Sequence, residues 1–210
     1  MPRIGMEAER RKSLIAATIE AIHDRGFFDV TLAQIAKRAG VSSGLALHYF
    51  GSKDQLLAAT MRHMLKDLQD SIRCELRNAD TPRARLSAII AGNFSPEQFR
   101  DATIAAWLAF YIQARNHDGN RRLLQIYAAR LASNLAFNLK TFMSPKDARH
   151  VAEGTASMID GVWIRHALRD GPANRSSAIE MVEQFVEAQI AFYQTSAAAP
   201  AQEHLQITSR

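Results

Sequence analysis

Apolar residues recur along this chain at spacings of three and four, the period of an α-helix with one buried face. Leu14, Ile15, Thr18, Ile19 and Ile22 form the first such stripe and predict a helix over 6–25, ended at Gly26, which suits a left-handed cap. Leu32, Ile35 and Ala36 predict a second, short helix over 32–39. Thr31 and Gln34 stand in capping-box register at its start, and Gly40 closes it. After the turn Gly40-Val41-Ser42, a third helix begins with Ser42 or Ser43 as N-cap and ends near Phe50. Ser52 and Gln55 form another capping box, opening a long helix over 53–78 that joins the two parts of the chain rigidly. Thr81-Pro82 starts the next helix, to Gly92. Ser95-Pro96, with Gln98 in capping register, starts one to Asn116. Beyond a loop at 117–120, helices are predicted over 121–142, 145–169 and 175–195, the last two parted by Gly171-Pro172, with a loose tail over 196–210. No stretch alternates as a strand does, so the expected fold is all-α with about nine helices.

Two short helices joined by a tight glycine turn are the helix-turn-helix unit, whose second helix enters the major groove of DNA. In GVSSGLALHYFGSKDQL, residues 40–56, the start of that helix presents Ser43, Gly44 and Leu45 toward base edges, with Ser42 beside them also a candidate DNA-binding residue. Gly44 lets backbone come close, and Leu45 suits a thymine methyl. Leu47 and Phe50 are expected to face the first two helices. His48 and Tyr49 at its far end, Lys53 beyond it, and Thr31 and Lys37 around the second helix are placed for phosphates, contacts that fix register without reading sequence. The plain alternative is an αα-hairpin inside a helical bundle, with Ser43 only a cap and Tyr49 half-buried.

Charge favours the first reading. The chain carries a net +5, and residues 1–66 hold ten Lys and Arg against six Asp and Glu. A basic N-terminal third on a nearly neutral body suits a polyanion at one end. Arg3, Arg10, Arg11 and Lys12 are candidates for a basic arm over 1–7 and just beyond, reaching DNA, or for a merely solvated terminus. Cys74 stands alone, which leaves no internal disulfide and no cysteine-based zinc site. No apolar run reaches membrane-spanning length and the N-terminus is no signal peptide, so a cytoplasmic protein without a membrane partner is expected. The seven histidines are scattered, and the sequence lacks H-E-x-x-H, a phosphate-binding loop and G-x-S-x-G. Neither an enzyme, a resident cofactor nor a metal is expected.

TLAQIAKRAGVSSGLALHYFGSKDQLL, with the preceding IAATIEAIHDRGFFDV, resembles the DNA-binding domain of the TetR family of bacterial repressors, over about residues 8–68. The resemblance implies an all-α homodimer on a palindromic operator, with a ligand-binding and dimerisation domain over 69–195. MPRIGMEAERRKSLIAAT, GNFSPEQF, AAWLAFY and MIDGVWIRHAL resemble the branch whose repressors answer to choline and control glycine betaine synthesis, an osmoprotective role. Choline is a quaternary ammonium, and ring faces with a nearby carboxylate attract such a cation. Trp107, Phe110 and Tyr111 share one helical face, and Trp163 follows Asp160 by three residues. Asp160 or Glu97 is the candidate counter-charge. The same stripe equally suits an ordinary core. A family member answering to another cationic or apolar effector is the competing reading. The family places its dimer interface on the last two long helices, implying Ala156, Ile159 and Val162 on one and Val182, Phe185, Val186 and Gln189 on the other.

Overall fold

The computed structural model describes residues 6–26, 29–115, 117–169, 171 and 174–207, with side chains through Ser196. The described residues form nine helices and no strand: α1 (Met6–Arg25), α2 (Leu32–Arg38), α3 (Ser43–Phe50), α4 (Lys53–Leu76), α5 (Pro82–Asn93), α6 (Asp101–Ala114), α7 (Asp118–Leu139), α8 (Pro145–Ala167) and α9 (Arg175–Ile207).

Local chemistry sets most starts. Thr31 and Gln34 form the full reciprocal box at α2. Thr81 Oγ1 accepts from Ala84 N at 3.1 Å ahead of Pro82, and Ser144 Oγ accepts from Asp147 N at 3.3 Å ahead of Pro145. Each such cap contributes about 1 kcal/mol. Gly26 and Gly40 take φ of 78° and 68°, the left-handed region where glycine is least strained. At Gly40 the α2 end closes as a Schellman motif: Val41 N donates to Ala36 O and Gly40 N to Lys37 O.

Several expected boundaries shift. The helix expected from Ser95-Pro96 starts only at Asp101, and residues 96–100 are turns. Gln98 is buried, and its side chain accepts from the Trp107 indole. α7 begins at Asp118, inside the expected loop, because buried Asn120 donates to buried Gln113 at 2.8 Å and draws the two helices together. Gly92 does not end α5. A Cβ on it would lie 2.6 Å from Ile72 Cα, so glycine lets α5 cross α4 at backbone contact. α9 continues past 195 through Ile207. Arg3, Asn116, Pro172 and the last three residues lie outside the described set.

The chain divides into two compact units. One comprises the chain through Asp70, Pro96–Tyr127 and the stretch from Ile164. The other comprises Ser71–Ser95, Ala128–Trp163 and the chain from Asn174. In the first, α1, α2 and α3 pack around Leu14, Ile22, Val30, Ile35, Ala46 and Phe50, and α6 packs along α1. In the second, α5 packs on α9, where Arg83 bridges Glu183 and Glu187. Among the described residues no helix is long and apolar enough to cross a membrane.

Candidate nucleic-acid interface and effector residues

Ser42 is the N-cap of α3, its Oγ accepting from Leu45 N at 3.1 Å. That fixes which face of a two-turn helix looks outward. Ala46 and Phe50 turn into the core. Ser42, Ser43, Gly44 and His48 are exposed, and Leu45 and Tyr49 are half-buried. Leu47, expected inward, is 50% exposed. The helix is too short for two inward stripes, and Ala46 with Phe50 already fills the space against α1 and α2. A Cβ built on Gly44 meets nothing nearer than Ser42 Oγ at 4.0 Å. Nothing inside the protein therefore requires glycine at this position.

Tyr49 is held from α1. The Arg10 guanidinium donates to its hydroxyl over a long 3.5 Å. Arg11 stands over the Tyr49 ring at 5.4 Å and the Phe50 ring at 5.1 Å, within cation–π range, and pairs with Glu7 at 2.8 Å. Arg10 and Arg11 are thus anchored helical residues rather than parts of a free arm. Lys37 is exposed on α2, Thr31 is engaged as its N-cap, and Lys53 opens α4 half-buried.

In the same unit, α6 carries a ring cluster. Trp107 lies 6.5 Å from Tyr111 and 6.2 Å from Tyr127, centroid to centroid. The Trp107 indole N–H donates to Gln98 Oε1 at 3.1 Å, which fixes the ring's rotation. Phe110 is fully buried, Tyr111 half-buried and Glu97 exposed, the Glu97 carbonyl accepting from Thr103. Tyr127 and Gln98 are cluster members that sequence reading missed. Tyr127 sits on another helix, and the register of Gln98 with Ser95 points to a cap. The N-terminus of α6 is tied to α1 by Arg100 to Glu20 at 2.6 Å. His166 presses edge-on against Phe99 at 4.8 Å, and its buried Nδ1 has no hydrogen-bond partner. Burial of the ring, then the charge of Arg169, pulls its pKa below the ordinary 6.5.

The second unit has its own aromatic group. Trp163 stacks on Phe94 at 6.3 Å, and Asp160 lies one turn earlier on α8. Among the described residues no cluster of three or more His, Cys, Asp or Glu is placed to hold a metal. Of the residues expected at a dimer contact, Ala156, Ile159, Val162, Val182 and Val186 are buried within the single chain, while Phe185, which rests on Gly154, and Gln189 are half-buried. Among the described residues, the large apolar side chains that α9 leaves exposed are Met181 and Phe192, 49% and 62% exposed.

Residues 14–60 match the family model for bacterial regulatory proteins of the tetR family, and residues 82–191 match that for the BetI-type transcriptional repressor C-terminal domain. The chain is 52% identical to the HTH-type transcriptional regulator BetI of Brucella anthropi, over 90% of this chain and 98% of that protein. It is 47% identical to the regulator of the same name from Agrobacterium fabrum, over 90% and 92%. Among solved structures, a transcriptional regulator from Pseudomonas aeruginosa is similar at TM-score 0.76 and 25% identity, covering 90% of this chain and 93% of that one. A regulator from Saccharomonospora viridis crystallised in complex with choline is similar at TM-score 0.76 and 22% identity, covering 86% and 96%.

Proposed function

Because the chain belongs to the TetR family of bacterial transcriptional regulators and carries a BetI-type repressor C-terminal domain, we propose that it represses glycine betaine synthesis from choline, with choline as the effector that weakens its hold on DNA. The observation that carries this reading is an outward α3 face of small and polar residues, built on the basic third of a chain whose relatives are BetI regulators.

In this reading Ser43, Gly44 and Leu45 approach base edges. His48, Tyr49, Thr31, Lys37 and Lys53 meet phosphates, and Ser42 aims the helix. A homodimer, acting in the cytoplasm, sets two such helices one DNA turn apart, ~34–36 Å, on a palindrome. The dimer contact runs through the outer face of α9. Met181 and Phe192 lie eleven positions, three helical turns, apart on one stripe and are left apolar in the single chain.

Choline is bound by ring faces, which attract a trimethylammonium group without a hydrogen bond. Two groups are available: Trp107 with Tyr111 and Tyr127, near Glu97 in sequence, and Trp163 with Phe94 and Asp160. A similar fold crystallised with choline supports the ligand class. Since α6 packs on α1, and α1 holds Tyr49 of α3, a ligand at Trp107 biases the DNA-reading unit directly. It does so only through its different affinities for the two states.

The experiment is a titration of the purified protein on its own upstream duplex, at several salt concentrations, with choline, betaine aldehyde or betaine added. Binding should weaken steeply with salt and weaken further with choline. Salt-insensitive binding, or binding equal at all choline concentrations, contradicts the proposal. Choline-induced change in fluorescence should be lost in either Trp107→Phe or Trp163→Phe, which tells the two ring groups apart.

A further inference from the structure

Leu47 is the one large apolar side chain on α3 that the protein leaves half in water. Neither capping nor the core needs a leucine there, because Ser42 caps the helix and Ala46 and Phe50 fill its inner face. One turn earlier stand exposed Ser43 and Gly44. Helical side chains lean toward the N-terminus, so the isobutyl group of Leu47 covers the surface beside Gly44. The space where a Gly44 Cβ belongs is open to 4.0 Å. Gly44 and Leu47 thus set bare backbone and an exposed leucine three residues apart on the helix.

In the major groove, base edges offer hydrogen-bonding groups throughout, with a single apolar feature, the 5-methyl of thymine. We propose that Leu47, with the bare backbone of Gly44 beside it, reads one thymine 5-methyl group in each operator half-site, which makes Leu47 a specificity-determining residue. This rests on α3 being the recognition helix. Leu45, the methyl reader suggested by spacing alone, is more deeply packed and serves as the comparison.

The test begins by selecting a duplex from a random-sequence pool with the full-length protein, then replacing its thymines one at a time with deoxyuridine, which removes only the methyl. One buried methyl corresponds to about a four-fold change in affinity. One thymine per half-site should therefore show a loss of about four-fold on replacement. Leu47→Ala should bind the parent duplex more weakly and show no further loss with deoxyuridine at that position. Helix content should be unchanged, since the side chain is half exposed. A flat deoxyuridine scan overturns the inference. So does a penalty that persists in Leu47→Ala, or one that disappears in Leu45→Ala instead. A pool that yields no enriched duplex removes the recognition-helix reading beneath it.

Discussion

Gly44 separates what the fold needs from what a partner needs. Beyond its chain neighbours and its own helical backbone, nothing lies nearer to its missing Cβ than Ser42 Oγ at 4.0 Å, so an alanine there is accommodated and gains up to about 1 kcal/mol of helix propensity. Gly44→Ala should melt at the same temperature or slightly higher, yet bind operator at least ten-fold more weakly. Lower stability with unchanged binding contradicts the assigned face. His166 makes a pH prediction. Its folded pKa is lowered, by burial first and Arg169 second, so the unfolded chain takes up its proton first. The contribution to stability is present above about 6.5, the ordinary value. It is lost as pH falls through that value toward the folded pKa. The wild-type minus His166→Gln difference in melting temperature should therefore shrink on acidification from pH 8 to pH 5, read by circular dichroism. The residue-level reading from sequence succeeded where one local rule acts alone, as at Ser42 and Thr31. It missed Leu47 because a short helix has room for only one inward stripe, and which one depends on its neighbours.

At the scale of elements, α6 is the instructive case. Ser95-Pro96 with Gln98 has the residues of a helix start, but the chain delays the helix to Asp101 and uses Gln98 to hold the Trp107 indole. Gln98→Leu should leave the buried indole N–H unpaired at a cost of about 1–3 kcal/mol and weaken choline binding while leaving operator affinity in the absence of choline near wild type. Calorimetry and DNA titration on the same preparation check both halves. Gly92 was legible only as punctuation. Its role as the α4–α5 crossing depends on Ile72, twenty positions away. Gly92→Ala must push backbone from backbone, and denaturant unfolding should show a loss of about 1–3 kcal/mol.

For the whole molecule, the all-α class and the order of the helices follow from periodicity and caps, and the family matches agree with that reading. The assembly does not follow from periodicity. A stripe such as Ile159, Val162, Val182 and Val186 says that a face is buried, not whether by this chain or by a second copy, and here it is this chain. Phe192 and Met181 remain outside. Met181→Glu with Phe192→Glu should turn the dimer into a folded monomer by light scattering and abolish tight operator binding, since one half-site alone is left. The same reading makes choline and operator compete for the protein's two states, and linkage requires the effect to be reciprocal. The most direct test is to measure choline affinity by tryptophan fluorescence, with the protein free and then saturated with operator duplex. Choline should bind the DNA-bound protein more weakly, by the same factor by which choline weakens operator binding. Equal choline affinity in both forms would contradict it.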